Sequence, residues 1–310
     1  MNSANRATVS GEEPAGVRDH LRKAGIHPWS VLRTDTGPWR TRRESWHAMG
    51  IASRAGREGV ATWDTSSSFA KECLSTINDG LSTFDPVLAE TSYTWYCPDG
   101  GKVLDPFAGG SVRGLVAGNL GFDYTGIDLS IRQVAANLAQ RRNWAEYDML
   151  PGQVTWIMGD AAEALPRMPD GGFDYVLTCP PYFNLETYTD LPADLSNMAW
   201  DDFADAYRQI IAETVRCLAE HRFATWVVGE VRDWRGLIRG LIPLTIDAHR
   251  EAGAYLYNDA VLVTSLGSLA RRIGAQWRAS RKMGRHHQYV LTFVKGDPKK
   301  ATARIRAAIA

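Results

Sequence analysis

The chain has 310 residues, and its 35 Lys and Arg residues balance 35 Asp and Glu residues. With 45% hydrophobic and 23% charged residues, it has the composition of a soluble globular protein. No apolar run approaches the roughly 20 residues of a membrane helix, and the N-terminus lacks a secretory pattern. We therefore predict a cytoplasmic protein without membrane contact. Four widely spaced cysteines without a CxxC pair predict neither a disulfide framework nor a metal site.

The neutral total conceals an uneven distribution of charge. Residues 1–70 carry a net charge of +3, residues 71–263 carry −13 and residues 264–310 carry +10. A strongly basic segment that follows an acidic body is typical of a protein that contacts a polyanion such as nucleic acid. The alternative is a solvated tail without a partner.

We divide the chain into an N-terminal extension over residues 1–70, a main domain over 71–300 and a basic tail over 301–310. The extension holds four of the 11 tryptophans, interleaved with arginines in segments such as WRTRRESW. This pattern fits a helical cap that packs its tryptophans on the main domain, and equally a direct contact with nucleic acid. Thr65 to Gly80 resembles a linker or a short helix.

The main domain alternates buried strand patterns with amphipathic helix patterns. The strand patterns cover residues 102–107, 123–129, 154–160, 173–181, 222–231, 256–264 and 287–296. Strands that alternate with helices predict βαβ units and a mainly parallel sheet. No helical pattern stands between the last two strands, so we expect them to pair antiparallel. The fold class is α/β, with a seven-stranded sheet whose antiparallel member comes last.

Three acidic residues follow the first three of these strands. Asp105 precedes the turn PFAGGS, and Asp128 and Asp160 end the next two strands. Ligands of open α/β sheets bind outside the carboxyl ends of the strands. The turn is neither GxGxxG nor a Walker loop, which disfavours a dinucleotide or a triphosphate. Three such acids suit a ligand rich in hydroxyl and amino donors, for example S-adenosylmethionine, although each acid alone could be a helix N-cap.

The fourth strand ends in TCPPYF, residues 178–183. The two prolines donate no backbone hydrogen bond and hold a rigid, extended turn. Backbone carbonyls in such a turn can accept from an exocyclic amino group while a planar base stacks on Tyr182. The alternative is a strand end with packed aromatic residues, and Phe183 fits behind the base or in the core.

DPFAGGS followed by TCPPYF resembles the amino-methylating DNA methyltransferases, whose motifs are DPFxGxG and (D/N/S)PPY. The resemblance covers about residues 29–301 and is strongest to a phage and bacterial DNA-methylase group, through segments such as CPPYFNLETYTD, VVGEVRD and SRKMGRHHQYVLTFVKG. It implies a class I, Rossmann-like methyltransferase fold with S-adenosylmethionine as the cofactor. It also implies methyl transfer to cytosine N4 or adenine N6 of a flipped-out DNA base.

The resemblance implies two sets of site residues. The cofactor-binding residues are Phe84, Asp85, Pro86, Asp105, Pro106, Phe107, Gly109, Asp128 and Asp160. The catalytic residues are Cys179, Pro180, Pro181 and Tyr182. Within the first set, Asp128 would hold the ribose, Asp160 the adenine amino group, and the segment from Phe84 the methionine end.

Cys179 departs from the family motif, which has Asp, Asn or Ser at this position. A thiol is a weak acceptor, so either the Pro180 carbonyl takes that role or Cys179 is a small spacer. Cytosine-C5 methylation uses a cysteine nucleophile, but it uses a Pro-Cys dipeptide, which disfavours that chemistry here. Methylation of RNA or another substrate, and a catalytically weak DNA-binding protein, remain alternatives.

Two segments are candidates for contact with DNA. The loop from Ser265 to His287 is basic and too long for a tight hairpin, which is typical of a functional loop. Its predicted DNA-binding residues are Arg271, Arg272, Arg278, Arg281, Lys282 and Arg285. The acidic segment Asn184 to Trp200 fits a lid or a partner of the basic loop better than a phosphate binder. Glu230 and Asp233 could border the pocket, with Asp233 capping the next helix; a homodimer is left open.

Overall fold

The structure is a computed structural model that describes residues 19–56, 61–62, 83–267 and 269–307. It contains an eight-stranded mixed sheet and a separate two-stranded ribbon formed by β2 and β7. In chain order the strands are β1 (Val31–Arg33), β2 (Ala61–Thr62), β3 (Lys102–Asp105), β4 (Asp123–Asp128), β5 (Val154–Met158), β6 (Phe173–Thr178), β7 (Glu186–Thr187), β8 (Leu218–Val228), β9 (Ala254–Val263) and β10 (His287–Lys295).

The strand order in the large sheet is β1-β9-β10-β8-β6-β3-β4-β5. Strands β5, β4, β3, β6 and β8 are parallel, whereas β10 runs antiparallel to both of its neighbours, β8 and β9. The prediction of a Rossmann-like, mainly parallel sheet with an antiparallel last strand is confirmed. The predicted count of seven strands is wrong, because Val31–Arg33 from the N-terminal extension adds an eighth strand parallel to β9.

Helices cover both faces of the sheet. They are α1 (Asp19–Lys23), α2 (Gly37–Ala48), α3 (Pro86–Tyr96), α4 (Val112–Asn119), α5 (Ile131–Glu146), α6 (Ala161–Ala164), α7 (Trp200–Cys217), α8 (Leu241–Glu251), α9 (Leu269–Ser280) and α10 (Pro298–Ala307). Successive residues of a strand face opposite sides, so Val103 packs with α2 to α5 while Leu104 packs with α7 and α8. The sheet is therefore buried on both faces.

One helix lies where no helical pattern was expected. The segment between β9 and β10 contains α9, which has no buried residue. Leu269, Ile273 and Trp277 recur every four positions, which is a helical spacing, but the stretch is rich in arginine and we expected a loop there. Helix α8 begins at Leu241, and residues 231–240 before it form a turn. Among the described residues, no helix is both long and apolar enough to cross a bilayer.

The N-terminal extension packs on the main domain through α2. Trp39 and Trp46 are buried, as expected of a cap that packs its tryptophans on the main domain. Trp29 is 69% exposed, and Trp63 lies outside the described residues, as does the predicted linker from Thr65 to Gly80.

Two carboxylates of the main domain receive hydrogen bonds from α2. Trp39 Nε1 and Arg43 Nε donate to Asp85 at 3.1 and 2.9 Å. Trp46 Nε1 and Arg42 Nε donate to the fully buried Glu90 at 2.7 and 2.8 Å. His20 Nε2 also lies 2.7 Å from Glu90. The tryptophans and arginines of α2 thus bind α3 within the protein.

Candidate active site

The carboxyl ends of β4, β5, β6 and β8 border one cleft of 2580 Å³. Drug-sized ligands occupy pockets of about 300–1,000 Å³, so this cleft has room for two ligands side by side. The predicted cofactor and catalytic residues that border it are Phe84, Asp85, Pro86, Pro106, Phe107, Gly109, Asp128, Asp160, Cys179, Pro180, Pro181 and Tyr182.

Asp105 lies beneath the cleft with no exposed surface. Its Oδ1 accepts from Phe107 N at 3.2 Å and from the Thr178 hydroxyl at 2.6 Å. Its Oδ2 accepts from Arg113 Nε at 2.6 Å and from the Tyr124 hydroxyl at 2.8 Å. Four protein donors therefore occupy the carboxylate, which holds the loop at the border of the cleft. Thr178 directly precedes Cys179, so Asp105 joins the glycine-containing turn to the CPPY turn.

Arg113 extends this buried network toward the cleft. Its Nη2 donates to the carbonyls of Phe107 and Ala108 at 2.6 and 2.9 Å, and its guanidinium lies 4.5 Å from the centre of the Phe84 ring. Burial by itself lowers the pKa of Arg113, but the Asp105 carboxylate outweighs it and the net pKa is raised. The arginine is thus a permanent cation that shapes the loop over residues 106–110.

Asp128 closes the same loop onto β4. Its Oδ2 accepts from Gly109 N at 2.7 Å, and its Oδ1 accepts from Ser130 N at 2.8 Å. Asn137 Nδ2 donates to the Gly109 carbonyl at 2.7 Å. Gly109 has φ +51°, a conformation that side chains rarely adopt. Each carboxylate oxygen has a second lone pair, so the half-buried Asp128 can still accept from a ligand.

Asp160 caps α6, since its Oδ1 accepts from Ala162 N at 2.9 Å. Its side chain is half-buried at the border of the cleft, which leaves the other oxygen able to accept. Ser53 Oγ, from the extension, also borders the cleft and is buried without a hydrogen-bond partner among the described residues. These groups fit a ligand that carries several hydroxyl and amino donors.

Asp85 connects the extension to the cleft. It caps α3, with its Oδ1 accepting from Val87 N at 2.9 Å, while Oδ2 accepts from Trp39 and Arg43. Phe84, one residue earlier, lies under Arg113. The predicted methionine-end segment is therefore held between the extension and the glycine-containing turn.

The CPPY turn is held through the hydroxyl of Tyr182. This hydroxyl donates to the Val227 carbonyl at 3.2 Å, accepts from Gln288 Nε2 at 3.0 Å, and lies 3.3 Å from Cys179 Sγ. Because its one proton goes to Val227, the Cys179 thiol is the donor in that contact. The pKa of Tyr182 is raised well above its usual value by burial and by Cys179. Tyr182 is therefore a neutral, immobilised ring.

Phe183 packs in the core. It is buried, with edge-on contacts to Trp200 and Phe203 at centroid distances of 5.3 and 5.4 Å. Of the two positions expected for Phe183, behind the base or in the core, the structure shows the core. Among the described residues, no cluster of three or more His, Cys, Asp or Glu side chains could hold a metal ion.

Glu230, and not Asp233, caps the helix that follows β8. Its Oε1 accepts from Gly240 N and Leu241 N at 3.0 and 2.9 Å. Asp233 instead accepts from Leu237 N at 2.8 Å within the preceding turn, so the prediction that it caps the helix is wrong. The capping residue stands ten positions before the first of these amides, a spacing that no local capping pattern detects.

The predicted DNA-binding residues lie on α9 and on the segment that joins it to β10. Arg271, Arg272, Lys282 and Arg285 border the cleft, whereas Arg278 and Arg281 are exposed outside it. The acidic segment from Asn184 to Trp200 also borders the cleft, and its Asp194 is engaged internally, accepting from Thr189 N at 2.7 Å. Cationic side chains thus stand along one part of the rim.

The chain was compared with protein families, curated proteins and solved structures. No family model and no curated protein matches the chain. Among solved structures, it resembles TrmN from Thermus thermophilus, with 16% identity over 68% of this chain and 49% of that chain, and a TM-score of 0.44. It also resembles TTHA0409, a suspected DNA modification methylase from the same species, with 22% identity, 45% and 51% coverage and a TM-score of 0.34.

A third similar structure is an S-adenosylmethionine-dependent methyltransferase from Methanosarcina mazei, with 13% identity over 70% of this chain and 99% of that chain, and a TM-score of 0.46. The chain spans about half the length of TrmN and of TTHA0409.

Proposed function

We propose that this protein transfers a methyl group from S-adenosylmethionine to the exocyclic amino group of a flipped-out DNA base, either cytosine N4 or adenine N6. The observation that carries the proposal is the 2.6 Å hydrogen bond from Thr178 to Asp105. It joins the turn of the DPFAGGS motif to the CPPY turn at one cleft. Two ligands held there would lie side by side, and alignment of two reactants is a large source of rate acceleration.

The cofactor half of the cleft is formed by the loop over residues 106–110 together with Asp128, Asp160 and the segment from Phe84. The half-buried carboxylates of Asp128 and Asp160 can accept from ribose hydroxyls and the adenine amino group. When bound there, S-adenosylmethionine supplies an electrophilic methyl group on a sulfonium.

The CPPY turn forms the other half. The carbonyls of this turn accept the two hydrogens of an amino group, which orients the nitrogen lone pair toward the cofactor half. The Tyr182 ring stacks on the base, because its hydroxyl is already bonded to Val227 and Gln288 and cannot serve the substrate. Cys179 Sγ lies 3.3 Å from the Tyr182 hydroxyl, a position within the turn that suits a spacer.

DNA is the proposed substrate because cationic side chains stand at the rim of a cleft that would take a base. Arg271, Arg272, Lys282 and Arg285 border the cleft and can contact phosphates on both sides of the extruded nucleotide. The amino nitrogen of a stacked base cannot be reached by a recessed turn such as CPPY, so the base must leave the duplex.

The test is nucleoside mass spectrometry of DNA from cells that express the protein, followed by sequencing that maps the modified base. We expect N4-methylcytosine or N6-methyladenine with the wild-type protein, and neither base with Tyr182→Ala, which should still bind S-adenosylmethionine in calorimetry. Cys179→Ser should retain measurable activity. Transfer of tritiated methyl to RNA and not to DNA contradicts the proposal, and so does cofactor binding without transfer to any DNA.

A further inference from the structure

The turn over residues 230–240, which we term the β8–α8 turn, exposes three large apolar side chains. Trp234 is 85% exposed, and Leu237 and Ile238 are 56% and 54% exposed. Trp234 also borders the candidate active-site cleft. Contiguous exposed apolar side chains at the rim of a cleft mark a surface that meets a partner.

The β8–α8 turn is internally bonded, so these side chains are presented in a defined arrangement. Asp233 N donates to the Leu237 carbonyl at 2.8 Å, and Gly236 N donates to the Asp233 carbonyl at 2.9 Å. Arg232 Nη1 donates to the Gly236 carbonyl at 2.7 Å. Glu230 fastens the far end by accepting from the first backbone amides of α8. A partner of Trp234 therefore meets a turn whose backbone is already ordered, which lowers the entropic cost of binding.

The turn lies between the CPPY turn and the basic segment. At its start, a Cβ on Gly229 would come within 2.9 Å of the Tyr182 ring, so the chain leaves β8 directly against the candidate base site. At its tip, the end of the Lys282 side chain packs over Gly236. Trp234 thus lies at the border of the cleft, in a turn that runs from the CPPY turn to the basic segment.

The charged side chains around Trp234 indicate which class of partner it meets. Arg232 and Arg235 flank Trp234 in the chain and are exposed, and the Arg235 guanidinium lies 5.8 Å from the centre of the Trp234 ring. Asp233 is the acidic residue beside them, and it is paired with Arg235 at 3.1 Å. An aromatic ring among arginines and Lys282 fits the stacked bases and phosphates of nucleic acid better than an apolar protein surface.

We propose that Trp234 inserts into a DNA duplex and fills the space that the target base leaves when it enters the cleft. This inference rests on the proposed function and assigns the residue that holds the extruded state. Extrusion leaves two neighbouring base pairs without a stacking partner, and an inserted aromatic ring supplies one. Trp234 is a positioning residue, since the reacting atoms lie at the CPPY turn.

The experiment compares Trp234→Ala, Trp234→Phe and Trp29→Ala on two duplex oligonucleotides that carry the mapped methylation site. In one duplex the target base is paired, and in the other it stands opposite an abasic residue. We expect Trp234→Ala to methylate the paired site about tenfold more slowly than the wild type. On the abasic duplex, its methylation rate should lie within about threefold of the wild-type rate. Trp234→Phe should recover most of the rate. Trp29 is exposed outside the cleft, so Trp29→Ala should match the wild type.

The assignment is overturned if Trp234→Ala loses the same fraction of its methylation rate on both duplexes. It is also overturned if the variant methylates the paired site at the wild-type rate. Extrusion opposite an abasic residue breaks no base pair, so the wild type should methylate that duplex at least as fast; a slower rate also contradicts the proposal. A wild-type protein that methylates no DNA refutes the proposed function itself. Unchanged calorimetric affinity for S-adenosylmethionine shows that Trp234→Ala leaves the fold intact.

Discussion

Replacing Asp105 by Asn should destabilise the protein by about 3–5 kcal/mol. The Asn side chain keeps the size of Asp105 but removes the charge that faces Arg113, and both side chains are buried, with exposed fractions of 0% and 5%. Removing one partner of a buried ion pair leaves an uncompensated charge, which costs about 3–5 kcal/mol. With an unfolding entropy of about 2.1 cal/mol/K per residue, a chain of 310 residues shifts by about 1.5 °C per kcal/mol, so the midpoint of thermal unfolding should fall by about 5–8 °C.

A double-mutant cycle separates the ion pair from other effects of the substitution. Arg113→Met alone should cost a similar amount, since it leaves the Asp105 carboxylate buried without its cation. The double variant Asp105→Asn/Arg113→Met should be more stable than the sum of the two losses predicts, because neither charge then remains unpaired. Urea unfolding at one neutral pH measures the three free energies.

The same variants test how Asp105 acts on the cofactor. Asp105 has no exposed surface and four protein donors, so its effect on S-adenosylmethionine should arise from loosening of the loop that Arg113 holds. We expect weaker calorimetric binding in Asp105→Asn and also in Arg113→Met. An Asp105→Asn protein that is as stable as the wild type but loses the cofactor would refute this reasoning, because it would require direct contact.

Two further predictions concern the pH dependence of stability and the N-terminal extension. Burial lowers the pKa of His249 to about 3, against 6.5 in the unfolded chain, so only the unfolded state takes up this proton between those values. Stability should therefore fall by about 2 kcal/mol from about pH 6.5 to about pH 5, at about 1.4 kcal/mol per pH unit. Urea unfolding at the two pH values should show that His249→Phe loses about 2 kcal/mol less stability than the wild type over this range. An equal loss in the two proteins would contradict the lowered pKa of His249. Arg43→Met and Arg42→Met each remove a hydrogen-bonded cation and should each cost about 1–3 kcal/mol. Only Arg43→Met should weaken S-adenosylmethionine binding, because its partner Asp85 borders the cleft whereas Glu90 does not; equal calorimetric affinities would exclude that coupling.

The parts of the fold that the sequence predicts are those whose signal is local. Each buried parallel strand is a short run of apolar residues that ends at a polar residue, so β3 to β6 were predicted within a few positions. Strand β1 has three residues, too few for any periodicity, and its pairing with β9 joins Val31 to Val261, far apart in the chain. Helix α9 carries Leu269, Ile273 and Trp277 at helical spacing, but in this arginine-rich segment we predicted a loop.

The candidate site also has parts that the sequence predicts and parts that it does not. The glycine-containing turn and the CPPY turn were identified because a Gly-rich turn or a Pro-Pro pair restricts the backbone wherever it occurs. No local sequence pattern identifies Gln288 or Thr178. Their roles follow from hydrogen bonds across the fold, from Gln288 to Tyr182 and from Thr178 to Asp105. The sequence therefore predicts which turns form the site but not which side chains hold them in place.

The distribution of charge has different physical meanings at the two ends of the described chain. Arg42 and Arg43 are neutralised by carboxylates of the main domain at α3, so the charges of these two arginines are used within the protein. The arginines of α9 are exposed, and Arg271 borders the cleft. A count of basic residues cannot separate these cases, because an arginine paired at 2.7 Å with Glu90 attracts a polyanion far less than one that faces solvent. The rim beside α9, and not the arginine-rich α2, is therefore where we place the phosphates of DNA.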